Sequence, residues 1–192
     1  MANKNILLIG AGRSANTLVK YLAEHAAAYR WQISIADMDG ELAQKKAGNS
    51  GARPMQFNAT DGAQREREIE QCDIVISMLP ARLHHLVAAT CLKLGKNMVT
   101  ASYVSPEVAA MDKAARKQNL LFLNEMGLDP GLDHLSAMQE IDAIRKAGGK
   151  MLNFESFAGG LLAPESETGN PWRYKFTWNP RNVVLAGQGT VK

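Results

Sequence analysis

The sequence predicts an α/β fold, a doubly wound parallel sheet followed by the beginning of a second, smaller α/β (α+β) domain. Three observations lead there. Short apolar runs alternate with helical segments from the N-terminus to about residue 125. A glycine-rich turn, Gly10-Ala11-Gly12-Arg13-Ser14-Ala15, separates the first run from the first helix. The second run ends in an acid, Asp37. Strands alternating with helices form a parallel sheet covered on both faces, and right-handed crossovers make it doubly wound.

The elements follow in order. Residues 5–9 are an apolar run closed by glycine, the mark of a buried strand. Residues 14–28 are alanine-rich, with Leu18, Leu22 and Ala26 on one helical face. Residues 31–37 alternate as a second strand, 41–46 form a short polar helix, and 55–58 a third strand. A charged helix over 62–71 leads to a strongly apolar fourth strand, 73–78, stopped by Pro80. A helix over 83–94, a strand over 97–100, a helix over 106–118 capped by Ser105 with Pro106 in its first turn, and a strand over 120–123 complete the alternation. The pattern then changes. A longer helix over 132–147 is followed by Gly148-Gly149, a strand-like run over 151–157 and a Gly/Pro-rich loop. This places a domain boundary near residue 125, with residues 1–125 as one domain and 126–192 as the start of the next.

Composition narrows the function. Hydrophobic residues are 46% of the 192, and charged residues 21%, which excludes disorder and collagen-like repeats. The net charge of +3 is too small and too scattered to argue for nucleic acid. No apolar stretch approaches the roughly 20 residues of a membrane span, so no membrane partner is expected. Cys72 and Cys91 lack metal or redox spacing and read as buried thiols in a reducing cytoplasm. No metal is expected.

The glycine turn carries the strongest chemistry. Its G-x-G-x-x-A pattern lies between strand and helix, as in Rossmann-type dinucleotide-binding folds. Gly10 allows the tight turn, Gly12 leaves room for a pyrophosphate, and Ala15 lets the helix pack against the strand. The helix N-terminus then offers N–H groups and partial positive charge to the phosphates. Asp37 stands where such folds hold the adenosine ribose, and an acid there repels a 2′-phosphate and favours NAD over NADP. Asn58 and Ala59 fall near the adenine, and Met78, Leu79 and Pro80 line the crevice. His84 and His85, without metal spacing or an evident carboxylate partner, read as surface or capping histidines. Met78, Met98, Met111 and Met126 read as core filling.

Two segments allow two readings each. Asp129-Pro130 is a helix start with the acid as N-cap, or the helix terminus points into the cleft and binds a carboxylate or the nicotinamide amide. Ser102 and Tyr103 cap the next helix, or hold a substrate. Trp172, Tyr174, Phe176 and Trp178 alternate with Arg173, Lys175 and Thr177, which fits a strand packed on a second domain better than a nucleic-acid stripe.

Several of these segments together resemble the saccharopine dehydrogenase family, of the NAD(P)-linked, L-glutamate-forming type. They are Asp73-Ile74-Val75-Ile76-Ser77-Met78-Leu79-Pro80, Val99-Thr100-Ala101-Ser102-Tyr103-Val104-Ser105-Pro106, the run from Asn124-Glu125-Met126 through Leu128-Asp129-Pro130-Gly131-Leu132-Asp133-His134, Gly159-Gly160-Leu161, Ala163-Pro164-Glu165 and Tyr174-Lys175-Phe176-Thr177-Trp178. The resemblance implies an oxidoreductase acting on a secondary amine. Saccharopine is oxidised to an imine, which water splits into glutamate and 2-aminoadipate 6-semialdehyde. It implies cofactor contacts at Ala11 to Ser14, at Leu128, Asp129 and Pro130, and at Asn179. It implies substrate contacts at Ser102 and Tyr103, with Tyr103 and Asp129 as proton-handling candidates. Two departures stand out. Ala158 replaces a cysteine common before the Gly-Gly pair, and Leu161-Leu162-Ala163-Pro164 replaces Leu-Pro-Ala-Pro. Family members are about twice as long, so the chain is expected to be an N-terminal part with exposed apolar surface, homodimeric when full length. A carboxynorspermidine dehydrogenase-like enzyme and a non-catalytic dinucleotide-binding fragment are the alternatives.

Overall fold

The computed structural model describes residues 3–157, 163–166, 169–174 and 184. It divides into two compact units, Met1–Ala143 and Ile144–Lys192. The chain carries β1 (Lys4–Ile9), α1 (Asn16–Tyr29), β2 (Trp31–Asp37), α2 (Gly40–Ala47), β3 (Arg53–Gln56), α3 (Gly62–Glu70) and β4 (Ile74–Ser77). It continues through α4 (His84–Leu94), β5 (Asn97–Thr100), α5 (Pro106–Ala109), α6 (Asp112–Lys117), β6 (Phe122–Leu123) and α7 (Leu132–Lys146). The six strands form one sheet in the order β3-β2-β1-β4-β5-β6, and every pairing is parallel. The strand order reverses between β1 and β4, which opens a crevice at their carboxyl ends.

Period-two alternation explains why β1 is apolar from Ile6 to Ile9. Leu7 and Ile9 join Val75, Met98, Ile69, Val87 and Cys91 in one core, against α3 and α4. Ile6 and Leu8 join Ile33, Ile35, Val19 and Leu22 in the other, against α1. With both faces covered, no position on β1 past Asn5 can be polar without losing roughly 1.5–3 kcal/mol of burial. Asp73 fixes the strand's start, accepting the Asn5 N–H at 2.8 Å and Lys4 Nζ at 2.9 Å.

Several expectations need correction. The helix over 106–118 is two helices, α5 and α6, with Ala110 and Met111 between them. Residues 151–157 form no strand. They are exposed or nearly so, and no partner strand pairs with them among the described residues, so the ladder that defines a strand is missing. Met126 is 41% exposed rather than core. Arg173 takes a φ of 50°, which breaks the expected extended run just after Trp172, and residues 175–178 lie outside the described residues. Cys72 and Cys91 are free and buried as expected. Burial pushes the Cys72 thiol up to about 11 and the Cys91 thiol further still, so neither is a nucleophile. Among the described residues, no helix is long and apolar enough to cross a membrane, and no cluster of three metal-ligating side chains occurs.

Candidate functional site

The glycine turn leaves β1 at the crevice. Gly10 has a φ of 107°, and a Cβ there would lie 2.7 Å from the Met78 carbonyl, so glycine is required. Gly12 is different. A Cβ built on it meets nothing within 4 Å, so its open side is a cradle that only a side chain would fill. Ala15 is fully packed into the core beside Ala11. Arg13 and Ser14 are exposed, in a 3-10 turn (Arg13–Ala15) ahead of α1. These features fit a dinucleotide pyrophosphate lying over Gly12 at the helix start.

Asp37 braces this loop. Its Oδ2 accepts the Ala11 N–H at 2.6 Å, and its Oδ1 accepts the Asp39 N–H at 3.0 Å. Asp39 in turn caps α2 by accepting the Glu41 and Leu42 N–H groups. Met38 is exposed beside it. Lys46 of α2, which sequence reasoning missed, reaches back to the loop and donates to the Gly12 carbonyl at 3.1 Å and to Asn16 Oδ1. It brings positive charge beside the cradle. Asn58 and Ala59 follow β3 and are fixed from α3. Gln64 Oε1 accepts the Asn58 N–H at 2.9 Å, and Arg65 Nη1 donates to the Ala59 carbonyl at 2.6 Å. Met78, Leu79 and Pro80 follow β4, and the Met78 N–H bonds to the Ile9 carbonyl at 2.7 Å, next to the glycine turn.

The second half of the site lies past β5. The Glu125 N–H donates to the Ser102 carbonyl at 3.0 Å, and the Met126 N–H to the Thr100 carbonyl at 3.1 Å. This pairing lays the segment from Asn124 alongside Thr100–Tyr103. The chain then turns tightly between Gly127 and Gly131, whose backbones bridge. A Cβ on Gly131 would lie 2.1 Å from the Gly127 carbonyl. The turn corrects the expected cap. Helix α7 begins at Leu132, past Asp129 and Pro130, and Asp133 Oδ1 accepts the Gly131 N–H at 2.9 Å. Asp129 is therefore exposed, and Tyr103 Oη donates to its Oδ1 in a long contact of 3.4 Å. Burial, then the Asp129 carboxylate, raise the Tyr103 phenol, so it stays a donor at neutral pH. Leu128 is exposed and Pro130 buried. His134 Nδ1 pairs with Asp133 Oδ1 at 2.7 Å, and that bond raises its pKa. Asn179 lies outside the described residues.

His84 overturns its expectation. It is 4% exposed rather than at the surface. Its Nδ1 lies 2.9 Å from Ser77 Oγ and its Nε2 2.7 Å from Ser102 Oγ, with Thr100 Oγ1 at 3.3–3.4 Å from both nitrogens. Burial pushes the imidazole down to about 4, so it is neutral near pH 7. The hydroxyls at the ends of β4 and β5 were the signal for this pocket. They reach a histidine that opens the next helix.

Residues 6–123 match the family model described as the saccharopine dehydrogenase NADP binding domain. Residues 127–192 match the model of the saccharopine dehydrogenase C-terminal domain. The chain belongs to the saccharopine dehydrogenase family. It is 37% identical over 187 residues to the saccharopine dehydrogenase [NADP(+), L-glutamate-forming] of Pyricularia oryzae, covering 97% of this chain and 40% of that protein. It is 35% identical over 205 residues to the alpha-aminoadipic semialdehyde synthase of Arabidopsis thaliana, covering 97% of this chain and 19% of that one. Among solved structures, the apo saccharopine dehydrogenase (L-Glu forming) from Saccharomyces cerevisiae superposes with a TM-score of 0.86 at 36% identity, over 96% of this chain and 40% of that chain. The chain thus spans about two fifths of the length of the fungal members of this oxidoreductase family that it matches.

Proposed function

We propose that the chain is the dinucleotide-binding portion and the opening of the substrate domain of an L-glutamate-forming saccharopine dehydrogenase, with the domain boundary near residue 125. The observation that carries this reading is the pairing past β5. Ser102, Tyr103 and Asp129 gather on the side of the sheet where the glycine turn ends β1. A bound nicotinamide supplies the hydride acceptor. The chain's own residues hold and orient. Gly12 and the turn after it receive the pyrophosphate. Asn58 and Ala59 border the adenine, Met78, Leu79 and Pro80 line the crevice, and Leu128 to Pro130 border the nicotinamide end. Ser102 and Tyr103 contact the substrate. Asp129, paired with Tyr103, takes the proton that the amine nitrogen must lose before oxidation. Hydride leaves the carbon that becomes the semialdehyde, water adds to the resulting iminium, and the C–N bond breaks to release glutamate.

The relatives' printed names support NADP, and Lys46 and Arg13 offer positive charge at the loop. One observation favours NAD instead: Asp37 ends β2, where an acid repels a 2′-phosphate. The two buried free thiols support a reducing, cytoplasmic setting, and a homodimer is part of the reading. The test is a steady-state screen of the full-length protein on saccharopine and carboxynorspermidine with each dinucleotide. The expected result is turnover of saccharopine with NADP at the higher kcat/KM. Preference for NAD that relaxes in Asp37→Ala restores the ribose role of Asp37. Turnover of carboxynorspermidine alone moves the chain to the related amine dehydrogenases, and dinucleotide binding without any turnover leaves a binding fragment.

A further inference from the structure

The buried polar cluster at the ends of β4 and β5 points in one direction. Ser77 is fully buried, Thr100 is 2% exposed and His84 4%. Ser102 is half-buried and is followed by Tyr103, which is 65% exposed. The chain of contacts from Ser77 Oγ through the imidazole therefore ends at Ser102 Oγ, on the least buried residue of the cluster. Such a cluster costs desolvation of an imidazole and three hydroxyls, which apolar side chains of similar size would avoid. Ser102 is also pinned through its backbone. Its N–H donates to Thr100 Oγ1 at 3.3 Å, and its carbonyl accepts the Glu125 N–H at 3.0 Å. The remaining freedom is rotation of its hydroxyl, and His84 Nε2 at 2.7 Å removes it.

We propose that His84 is a positioning residue that fixes the rotamer and hydrogen-bond polarity of the Ser102 hydroxyl toward a substrate carboxylate. The proposal rests on the reading of Ser102 as a substrate contact. Only one of the two neutral tautomers serves it. With the proton on Nδ1, Ser102 must donate its own hydrogen to Nε2 and presents only lone pairs to the crevice. With the proton on Nε2, the imidazole donates to Ser102 Oγ, and the Ser77 hydroxyl donates to Nδ1. Ser102 then has its hydrogen free for a carboxylate oxygen. Burial, which holds the imidazole neutral near pH 7, keeps one ring nitrogen as an acceptor for Ser77.

The test uses His84→Gln, His84→Asn and Ser102→Ala in the full-length protein. A glutamine amide nitrogen reaches the position of Nε2 and can still donate to Ser102. An asparagine amide reaches only the position of Nδ1 and loses Ser102. His84→Asn is expected to lower kcat/KM for saccharopine by up to about a hundredfold, with His84→Gln recovering most of it. Dinucleotide Kd stays unchanged in both. In the Ser102→Ala background, His84→Asn is expected to add less than about a twofold loss, because coupled residues are not additive. Equal losses in the Gln and Asn variants, additive losses with Ser102→Ala, or a parallel loss of dinucleotide binding would overturn the proposal. If the wild type oxidises no saccharopine, the functional reading fails separately. The His84 assignment is then decided by ¹⁵N-histidine NMR. A single Nε2–H tautomer that shifts on Ser102→Ala upholds the link, and an Nδ1–H tautomer, or one indifferent to that substitution, overturns it.

Discussion

His84 shows what burial does to a titratable side chain. In the unfolded chain its imidazole titrates near 6.5, and in the fold near 4. Between those values the unfolded state binds more protons than the native state, so stability falls as pH falls. The contribution is fully present above 6.5 and lost below about 4. Its size is about 3 kcal/mol. The hydrogen-bond partners of the ring are all neutral hydroxyls, so no ion pair offsets it. Thermal unfolding of wild type and His84→Gln at pH values from 7 down to 4 checks this. The wild type should lose more Tm than the variant, and parallel curves would contradict it. None of this was legible in His84-His85 as a dipeptide, because the partners stand 7, 16 and 18 residues away. The hydroxyls of Ser77, Thr100 and Ser102 were visible in the sequence. Their convergence on one ring was not.

At the scale of elements, the glycine turn separates folding from binding. A Cβ on Gly10 would strike the Met78 carbonyl at a φ of 107°, whereas one on Gly12 meets only open space. Gly10→Ala should therefore cost about 1–3 kcal/mol of stability or more. Gly12→Ala should stay within about 0.5 kcal/mol of wild type while weakening dinucleotide binding about tenfold or more, which is about 1.4 kcal/mol. Paired denaturation and calorimetric titrations read both, and equal stability losses at the two positions would contradict the assignment. The central strands were legible because each holds an apolar run, and a strand covered on both faces tolerates little else, whereas β3, Arg53-Pro54-Met55-Gln56, is an edge strand with exposed ends and lies two residues before the expected 55–58. The break between α5 and α6 was not, since Ala110 and Met111 are ordinary helix formers. Asp129-Pro130 carried a helix-start signature, but α7 starts at Leu132, as the helix expected over 132–147 does, and the Gly127–Gly131 bridge leaves Asp129 outside it for Tyr103. Residues 151–157 had strand composition without a strand partner among the described residues.

At the scale of the molecule, the sheet sets where chemistry can happen. The order β3-β2-β1-β4-β5-β6 puts the turn after β1 and the segments after β4 and β5 at one end of the sheet. The fold class and the glycine turn were legible because both follow from local pattern. The joining of Thr100–Tyr103 to the Asn124–Asp133 segment was not, because it depends on backbone pairing across more than twenty residues. Leu128, Leu132 and Leu135 stand exposed there, 75%, 60% and 58% respectively. Hydride transfer at the carbon next to a secondary amine is the chemistry ascribed to this end of the sheet. Saccharopine dideuterated at the carbon that becomes the semialdehyde tests it directly in the full-length protein, by mass spectrometry of the reduced nicotinamide. One deuterium in each reduced nicotinamide is the result expected, with the other retained in the aldehyde. Reduced nicotinamide carrying no deuterium, or no reduction at all, would contradict it.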